Sequence, residues 1–129
     1  MTNQLSQIKW IRVGLTAAVV YIVSFLTVIL VVTGYASYLG FQARGAPDQT
    51  MIQTFANQIA PWIGPASLIL FTLLGARHVA RRVESAVPLH GIILGALSGL
   101  VNLLSNGFGL ISILALAVMI AAGWLGARK

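Results

Sequence analysis

The 129-residue chain contains no cysteine and very few charged residues. The absence of cysteine excludes disulfides, thiolate metal sites, cysteine-ligated iron–sulfur clusters and cysteine nucleophiles. Charged residues make up 8% of the sequence, whereas a soluble domain contains about 25%. Because a folded chain of this size leaves about a third of its surface in contact with solvent, so few charges cannot keep that surface in water. The sequence therefore predicts an integral membrane protein.

Carboxylates and catalytic motifs are missing from the apolar stretches of the sequence. Without a carboxylate inside a span, a proton- or cation-coupled antiporter of the small four-helix multidrug type lacks its coupling group. The chain also contains no HExxH motif, no glycine-rich phosphate loop and no Ser–His–Asp set on one face. We therefore expect no catalytic residues, no metal site and no enzymatic activity.

Long stretches without Asp, Glu, Lys or Arg run over residues 13–43, 51–76 and 85–127. A membrane-spanning helix needs about 20 apolar residues. The third stretch is about twice that length, and Ser105-Asn106-Gly107-Phe108-Gly109 divides it with turn-forming residues. The sequence predicts an all-α, four-helix transmembrane bundle that forms one membrane domain over residues 1–129. The helices are expected over about 13–39, 61–76, 87–104 and 110–125.

Lys9 and Arg12 precede the first predicted helix, as basic residues precede the apolar region of a secretion signal. That apolar region is longer than the roughly 7–15 residues of a signal peptide. We therefore expect this helix to be retained as a membrane span.

Residues 40–60 form the only sizeable segment outside the predicted spans. Pro47 followed by Asp48 is typical of a helix start, where the helix dipole favours an acid. We expect a short interfacial helix that leads into the second span, and the alternative is a partner-docking or lid segment. Pro61 and Pro65 are expected in the first turns of that span, where missing amide donors matter least.

Basic residues mark one side of the predicted helices: Lys9, Arg12, Arg77, Arg81, Arg82, Arg128 and Lys129. Arg44 alone marks the other side. Because Lys and Arg accumulate beside the cytoplasmic ends of spans, both termini are predicted to face the cytoplasm, from the inner (plasma) membrane of the cell. We therefore interpret the net charge of +6 as orienting the helices in the membrane and contacting lipid headgroups, and we expect no binding of nucleic acid.

Glycines recur at four-residue spacing along the third helix, at Gly91, Gly95 and Gly99, and Gly123 and Gly126 end the fourth. Lipid provides no hydrophobic drive between helices, so small residues that allow close backbone approach hold membrane helices together. These five glycines are predicted to form a helix-packing glycine zipper. The zipper packs within the chain's own bundle or against another subunit.

His90 is the one ionisable side chain predicted within a span, which makes it a functional candidate. It lies about one turn from the cytoplasmic end of the third helix, where it can reach headgroups or the loop over residues 77–82. The alternative is axial ligation of a chlorin or haem, because Ala86 leaves room for a macrocycle one turn earlier. No other cofactor is predicted.

Asn102 and Asn106 form a polar cluster with Ser105 at the end of the third helix. Amide side chains in this position mark a helix end and its turn, bridge helices by hydrogen bonds, or line a pore.

The segment from Leu74-Gly75-Ala76-Arg77 to Arg82, the pair His90-Gly91 with its glycine stripe, and the closing Gly123-Trp124-Leu125-Gly126-Ala127-Arg128 resemble small bacterial four-helix membrane proteins of the YrzE-like group. The resemblance covers about residues 60–129, and residues 40–60 have no place in that pattern. It implies a four-helix membrane fold and implies no activity, because none is established for such proteins.

Taken together, these features predict a non-catalytic accessory or structural subunit that packs laterally in a larger membrane complex. One alternative is a homo-oligomeric channel or carrier for a small solute, lined by Asn102 and Asn106. A second alternative is a chlorin- or haem-binding subunit that uses His90. The expected partners are the lipid bilayer and other membrane subunits, or further copies of the chain.

Overall fold

The computed structural model describes residues 7–128, so Lys129, one of the predicted cytoplasmic markers, lies outside the described residues. Within that range the chain is all-helical, with no β-strand, and comprises α1 (Trp10–Ala43), α2 (Gln49–Ala80), α3 (Val87–Asn106) and α4 (Leu110–Gly126). The prediction of an all-α fold with four helices is confirmed. Three of the helices, α1, α2 and α3, are long and apolar enough to cross a membrane, and α4 is a shorter apolar helix.

The first two helices are much longer than the last two. α1 has 34 residues and α2 has 32, against 20 in α3 and 17 in α4. At 1.5 Å per residue, α1 and α2 are each about 50 Å long, whereas α3 is about 30 Å long and matches the hydrocarbon core of a bilayer. The α1–α2 hairpin therefore extends beyond α3 and α4, and the stacked rings of Tyr35 and Phe55, with centroids 3.9 Å apart, hold this extension together.

The predicted interfacial helix and the second span form one continuous helix, α2. It starts where Pro47-Asp48 indicated, and the Asp48 carboxylate accepts a hydrogen bond from the Thr50 N–H at 2.8 Å. We expected Pro61 and Pro65 in the first turns of a helix, but they lie inside α2, which begins at Gln49. The two prolines are one turn apart, so both disruptions of the helical hydrogen bonds fall on the same side of α2. The backbone carbonyls of Asn57 and Pro61 consequently lack their usual helical donors.

The helices form two antiparallel hairpins, α1–α2 and α3–α4, and α2 contacts each of the other three helices. A first core cluster contains Ile8, Val13, Ala76 and Leu94, and a second contains Val20, Leu68, Ala115 and Met119. We call the end that holds the start of α1 and the ends of α2 and α4 the basic end. The opposite end, where residues 44–48 connect α1 to α2, is the hairpin end.

Candidate functional site

The glycine stripe of α3 lies directly against α4. A Cβ built at Gly91 would overlap the carbonyl oxygen of Gly123, and a Cβ built at Gly123 would overlap the carbonyl oxygen of Gly91. A Cβ at Gly95 would overlap the carbonyl oxygen of Met119 in the same way. Backbone therefore touches backbone along this α3–α4 seam, and any added side chain must push the helices apart. The glycine stripe therefore joins α3 to α4 within the chain's own bundle.

The two remaining glycines of the predicted zipper have different neighbours. Gly99 faces the side chain of Leu116, at the far end of the seam. Gly126 faces α2, where an added Cβ would overlap the carbonyl oxygen of Leu73 and lie 3.0 Å from the Ala76 Cβ. The structure therefore brings four of the five predicted glycines into the α3–α4 seam and uses Gly126 to join α4 to α2.

His90 is fully buried and does not reach the surface. Its Nε2 accepts a hydrogen bond from the backbone N–H of Lys9 at 3.1 Å, and its Nδ1 lies 2.8 Å from the carbonyl oxygen of Ala86. An Nε2 that accepts carries no proton, so the ring is the neutral tautomer that donates from Nδ1. The imidazole thus ties the segment before α1 to the start of α3. A metal on Nε2 would have to displace the Lys9 N–H.

The amides of Asn102 and Asn106 bond to each other along α3. The Nδ2 of Asn106 donates to the Asn102 Oδ1 at 2.8 Å and to the Asn102 carbonyl oxygen at 3.2 Å. This pair stands between two cavities, one of about 300 Å³ among α1, α2 and α3, and one of about 600 Å³ among α2, α3 and α4. Pro65 lines both cavities as well. Asn102 and Asn106 therefore place amide groups in the lining of both cavities, in the half of the bundle nearer the hairpin end.

Two buried hydroxyl groups, Thr72 Oγ1 and Ser98 Oγ, have no hydrogen-bond partner among the residues that the structure describes. Ala76 of α2 and Leu94 of α3 share one core cluster, and Thr72 and Ser98 each lie one turn from them toward the hairpin end. The antiparallel register therefore places both hydroxyls at one level. An unbonded buried hydroxyl costs about 1–3 kcal/mol of stability. Thr72 and Ser98 form a polar layer, which lies one helical turn closer to the basic end than Asn102.

The predicted cytoplasmic markers within residues 7–128 gather at the basic end, and all are exposed: Lys9, Arg12, Arg77, Arg81, Arg82 and Arg128. The Nη1 of Arg12 donates to the backbone carbonyl of Arg82 at 3.0 Å, which joins α1 to the α2–α3 loop. The Arg128 guanidinium lies 3.5 Å above the Trp124 ring, a cation–π contact. Positive charge is thus concentrated at this end.

Sequence reasoning did not identify the hydroxyl of Thr72 or the Lys9 N–H as functional groups of the core. The only available signal was the spacing of Ser98 and Asn102 beside the glycine stripe, which places them on the packed side of α3.

Within residues 7–128, no three His, Cys, Asp or Glu side chains approach one another as a metal site requires. Comparison with known proteins finds no matching family model, no matching curated protein and no matching solved structure, so the YrzE-like resemblance stays a prediction.

Proposed function

We propose that the chain is a four-span protein of the bacterial inner (plasma) membrane, with both termini in the cytoplasm. The collection of six exposed basic residues at one end of the helices supports this orientation, because Lys and Arg accumulate on the cytoplasmic side. The 17 residues of α4 reach the lower limit for a span. Residues 31–43 and 49–60, at the hairpin end, then project from the opposite face of the membrane.

Within that membrane the chain acts as a non-catalytic accessory subunit that packs laterally against another membrane protein. The observation that carries this proposal is an uncovered face on α1. Of the 34 residues of α1, Val13, Val20 and Ser24 are the only buried ones. One side of the helix is left entirely exposed, formed by Ile11, Gly14, Ala18, Ile22 and Ile29. We call this set the α1 face.

The α1 face has the shape that a second membrane helix needs. Apart from its own stretch of helix, no atom of residues 7–128 lies within 4 Å of a Cβ built at Gly14, and Ala18, one turn along, is also exposed. Small residues at four-residue spacing let another helix approach closely in lipid, and the larger Ile11 and Ile22 flank this notch. The glycines of α3 and α4 are already covered by neighbouring helices, whereas the notch on α1 is uncovered and can receive a partner helix.

Gly14→Leu tests this proposal against the matched variant Gly34→Leu. Both glycines lie on α1, and in the part of the chain that the structure describes no other segment comes within 4 Å of an added Cβ, so neither leucine is expected to disturb the packing of the helices. We expect wild-type protein, isolated from native membranes in mild detergent, to co-elute with a stoichiometric membrane protein that mass spectrometry identifies. Gly14→Leu is expected to lose at least 80% of that partner, whereas Gly34→Leu keeps it.

Two outcomes would contradict the accessory role. Wild-type protein that elutes alone and monodisperse has no lateral partner. Equal partner yields from the two variants would show that the α1 face is not the contact surface.

A second candidate, a homo-oligomeric channel or carrier for a small polar solute, is favoured by the polar layer. Two cavities meet at Asn102 and Asn106, and the unbonded hydroxyls of Thr72 and Ser98 lie one turn deeper. Hydroxyl and amide groups in this arrangement can hydrogen-bond an uncharged polar solute. Solute uptake by liposomes that is abolished by Asn102→Leu, and retained in the exposed control Asn57→Leu, would establish this candidate.

A further inference from the structure

A groove runs between α1 and α2 at the basic end. Its apolar part has a volume of about 420 Å³, and a more polar part of about 300 Å³ continues from it. The two parts share Leu15, Thr16 and His78, so they form one continuous opening. We call this opening the α1–α2 groove.

The polar part of the groove carries only positive charge. Arg12 and Arg82 line it, and neither lining set contains a carboxylate. The hydrogen bond from Arg12 Nη1 to the Arg82 carbonyl fixes the guanidinium at the mouth of the groove. The other N–H groups of a guanidinium stay available in a fork that suits phosphate oxygens. The mouth is therefore complementary to a phosphate group.

The apolar part of the groove exists because Gly75 forms part of its floor. A Cβ on Gly75 would lie 2.9 Å from Val20 Cγ2 and 3.0 Å from Thr16 Cγ2, so these two side chains of α1 lie directly against the α2 backbone at Gly75. Larger apolar side chains form the walls: Leu15, Val19, Val23, Phe71 and Leu74. The result is a hydrocarbon-lined channel that is open along its side and ends at two arginines.

We infer that the α1–α2 groove binds one anionic phospholipid of the cytoplasmic leaflet. Its phosphate lies on Arg12 and Arg82, and one acyl chain follows the apolar walls past Gly75 toward Val23. The inference rests on the membrane orientation proposed above, but not on the accessory role, because the α1 face lies on a different side of α1.

The charge of the groove favours a lipid over a partner helix. A partner helix would bring its apolar surface against two arginines at the mouth. An anionic lipid places charge against charge and hydrocarbon against hydrocarbon.

Native mass spectrometry of the delipidated full-length protein tests the site, with palmitoyl-oleoyl phosphatidylglycerol and the phosphatidylcholine of the same chains as probes. We expect one phosphatidylglycerol to bind at least fivefold more tightly than phosphatidylcholine. Arg82→Gln is expected to weaken phosphatidylglycerol binding about fivefold, as expected for the loss of one basic residue's attraction to an anionic headgroup. The adjacent control Arg81→Gln removes the same charge from an exposed residue outside the groove and should leave binding unchanged.

A second pair of variants tests the apolar part. Leu15→Trp fills the groove and is expected to weaken phosphatidylglycerol binding at least fivefold, whereas Leu30→Trp, on an exposed residue of α1 outside the groove, has no effect. sn-Glycerol 3-phosphate, which has the headgroup phosphate without an acyl chain, should not compete at millimolar concentration. All four variants change exposed side chains, and their thermal unfolding is expected to match the wild type.

Three results would overturn the inference. Equal binding of the two lipids would remove the role of charge, and equal effects of Arg82→Gln and Arg81→Gln would reduce the site to diffuse attraction. Competition by sn-glycerol 3-phosphate would make the site one for free phosphate compounds. Because the assay contains no other protein, each of these results leaves the accessory role standing.

Discussion

The two helical hairpins of this protein pack in opposite ways. In the α3–α4 hairpin, Gly91, Gly95 and Gly123 allow backbone to touch backbone. In the α1–α2 hairpin, the side chain of Val20 lies between α1 and the backbone of Gly75, and Leu15 and Phe71 line an open groove. α1 also leaves a whole face exposed.

In the membrane that we propose for this chain, the difference follows from how lipid affects contacts between helices. Helices in lipid gain from close contact at small residues and gain little from covering leucine, because lipid tails are equally apolar. The glycine-rich hairpin therefore forms a closed structural unit, whereas the bulky, valine- and leucine-rich hairpin offers surfaces to other molecules. Partner and lipid are accordingly expected on α1, and the seam is expected to determine stability.

The largest expected effect is that of Gly91→Leu, which removes the close contact that distinguishes the α3–α4 hairpin. The leucine has to enter the space of the Gly123 carbonyl, and overpacking of this kind costs about 3 kcal/mol of unfolding free energy or more. Loss of helical circular dichroism during titration with a denaturing detergent measures the change. The control Gly14→Leu, on open surface, should be within about 0.5 kcal/mol of wild type; similar losses in both variants would contradict the seam.

A smaller effect is expected for His90→Leu, which removes the hydrogen bond between α3 and the segment that precedes α1. The Lys9 N–H loses its acceptor on α3, and the loss is expected to cost about 1–3 kcal/mol. Hydrogen exchange should become faster at residues 8–13 and stay unchanged along the α3–α4 seam. The exposed His78→Leu is the control, and unchanged exchange in both variants would show that the imidazole does not hold the start of α1.

The smallest of these effects has the opposite sign. Thr72→Val replaces an unbonded buried hydroxyl with a methyl group of similar size, and is expected to raise the free energy of unfolding by about 1 kcal/mol. The control Thr27→Val removes a hydroxyl that donates to the Val23 carbonyl at 2.9 Å and should not stabilise. A destabilised Thr72→Val would mean that this hydroxyl is bonded after all, and stabilisation accompanied by lost solute uptake would favour the channel candidate.

The number and type of helices could be predicted from the sequence because the hydropathy and charge of a membrane chain are dictated locally by lipid. The length of α2 could not, because Pro61 usually marks a helix start and here interrupts a helix that continues past it. The glycine stripe indicated close packing but not its partner, which depends on which helix has matching small residues at the same depth. The bond between Lys9 and His90 joins residues 81 positions apart, and no local pattern encodes it.

Single-cysteine cross-linking in native membranes tests the central claim, that the α1 face contacts another membrane protein, most directly. The chain has no cysteine of its own, so Ala18→Cys places one thiol on the α1 face, and Leu30→Cys places one about 120° around the same helix. The account predicts that Ala18→Cys, treated with a thiol-to-amine or photoactivated cross-linker, forms one adduct with a different membrane protein and that Leu30→Cys does not. Adducts at neither position, equal adducts at both, or adducts only between copies of this chain would contradict it.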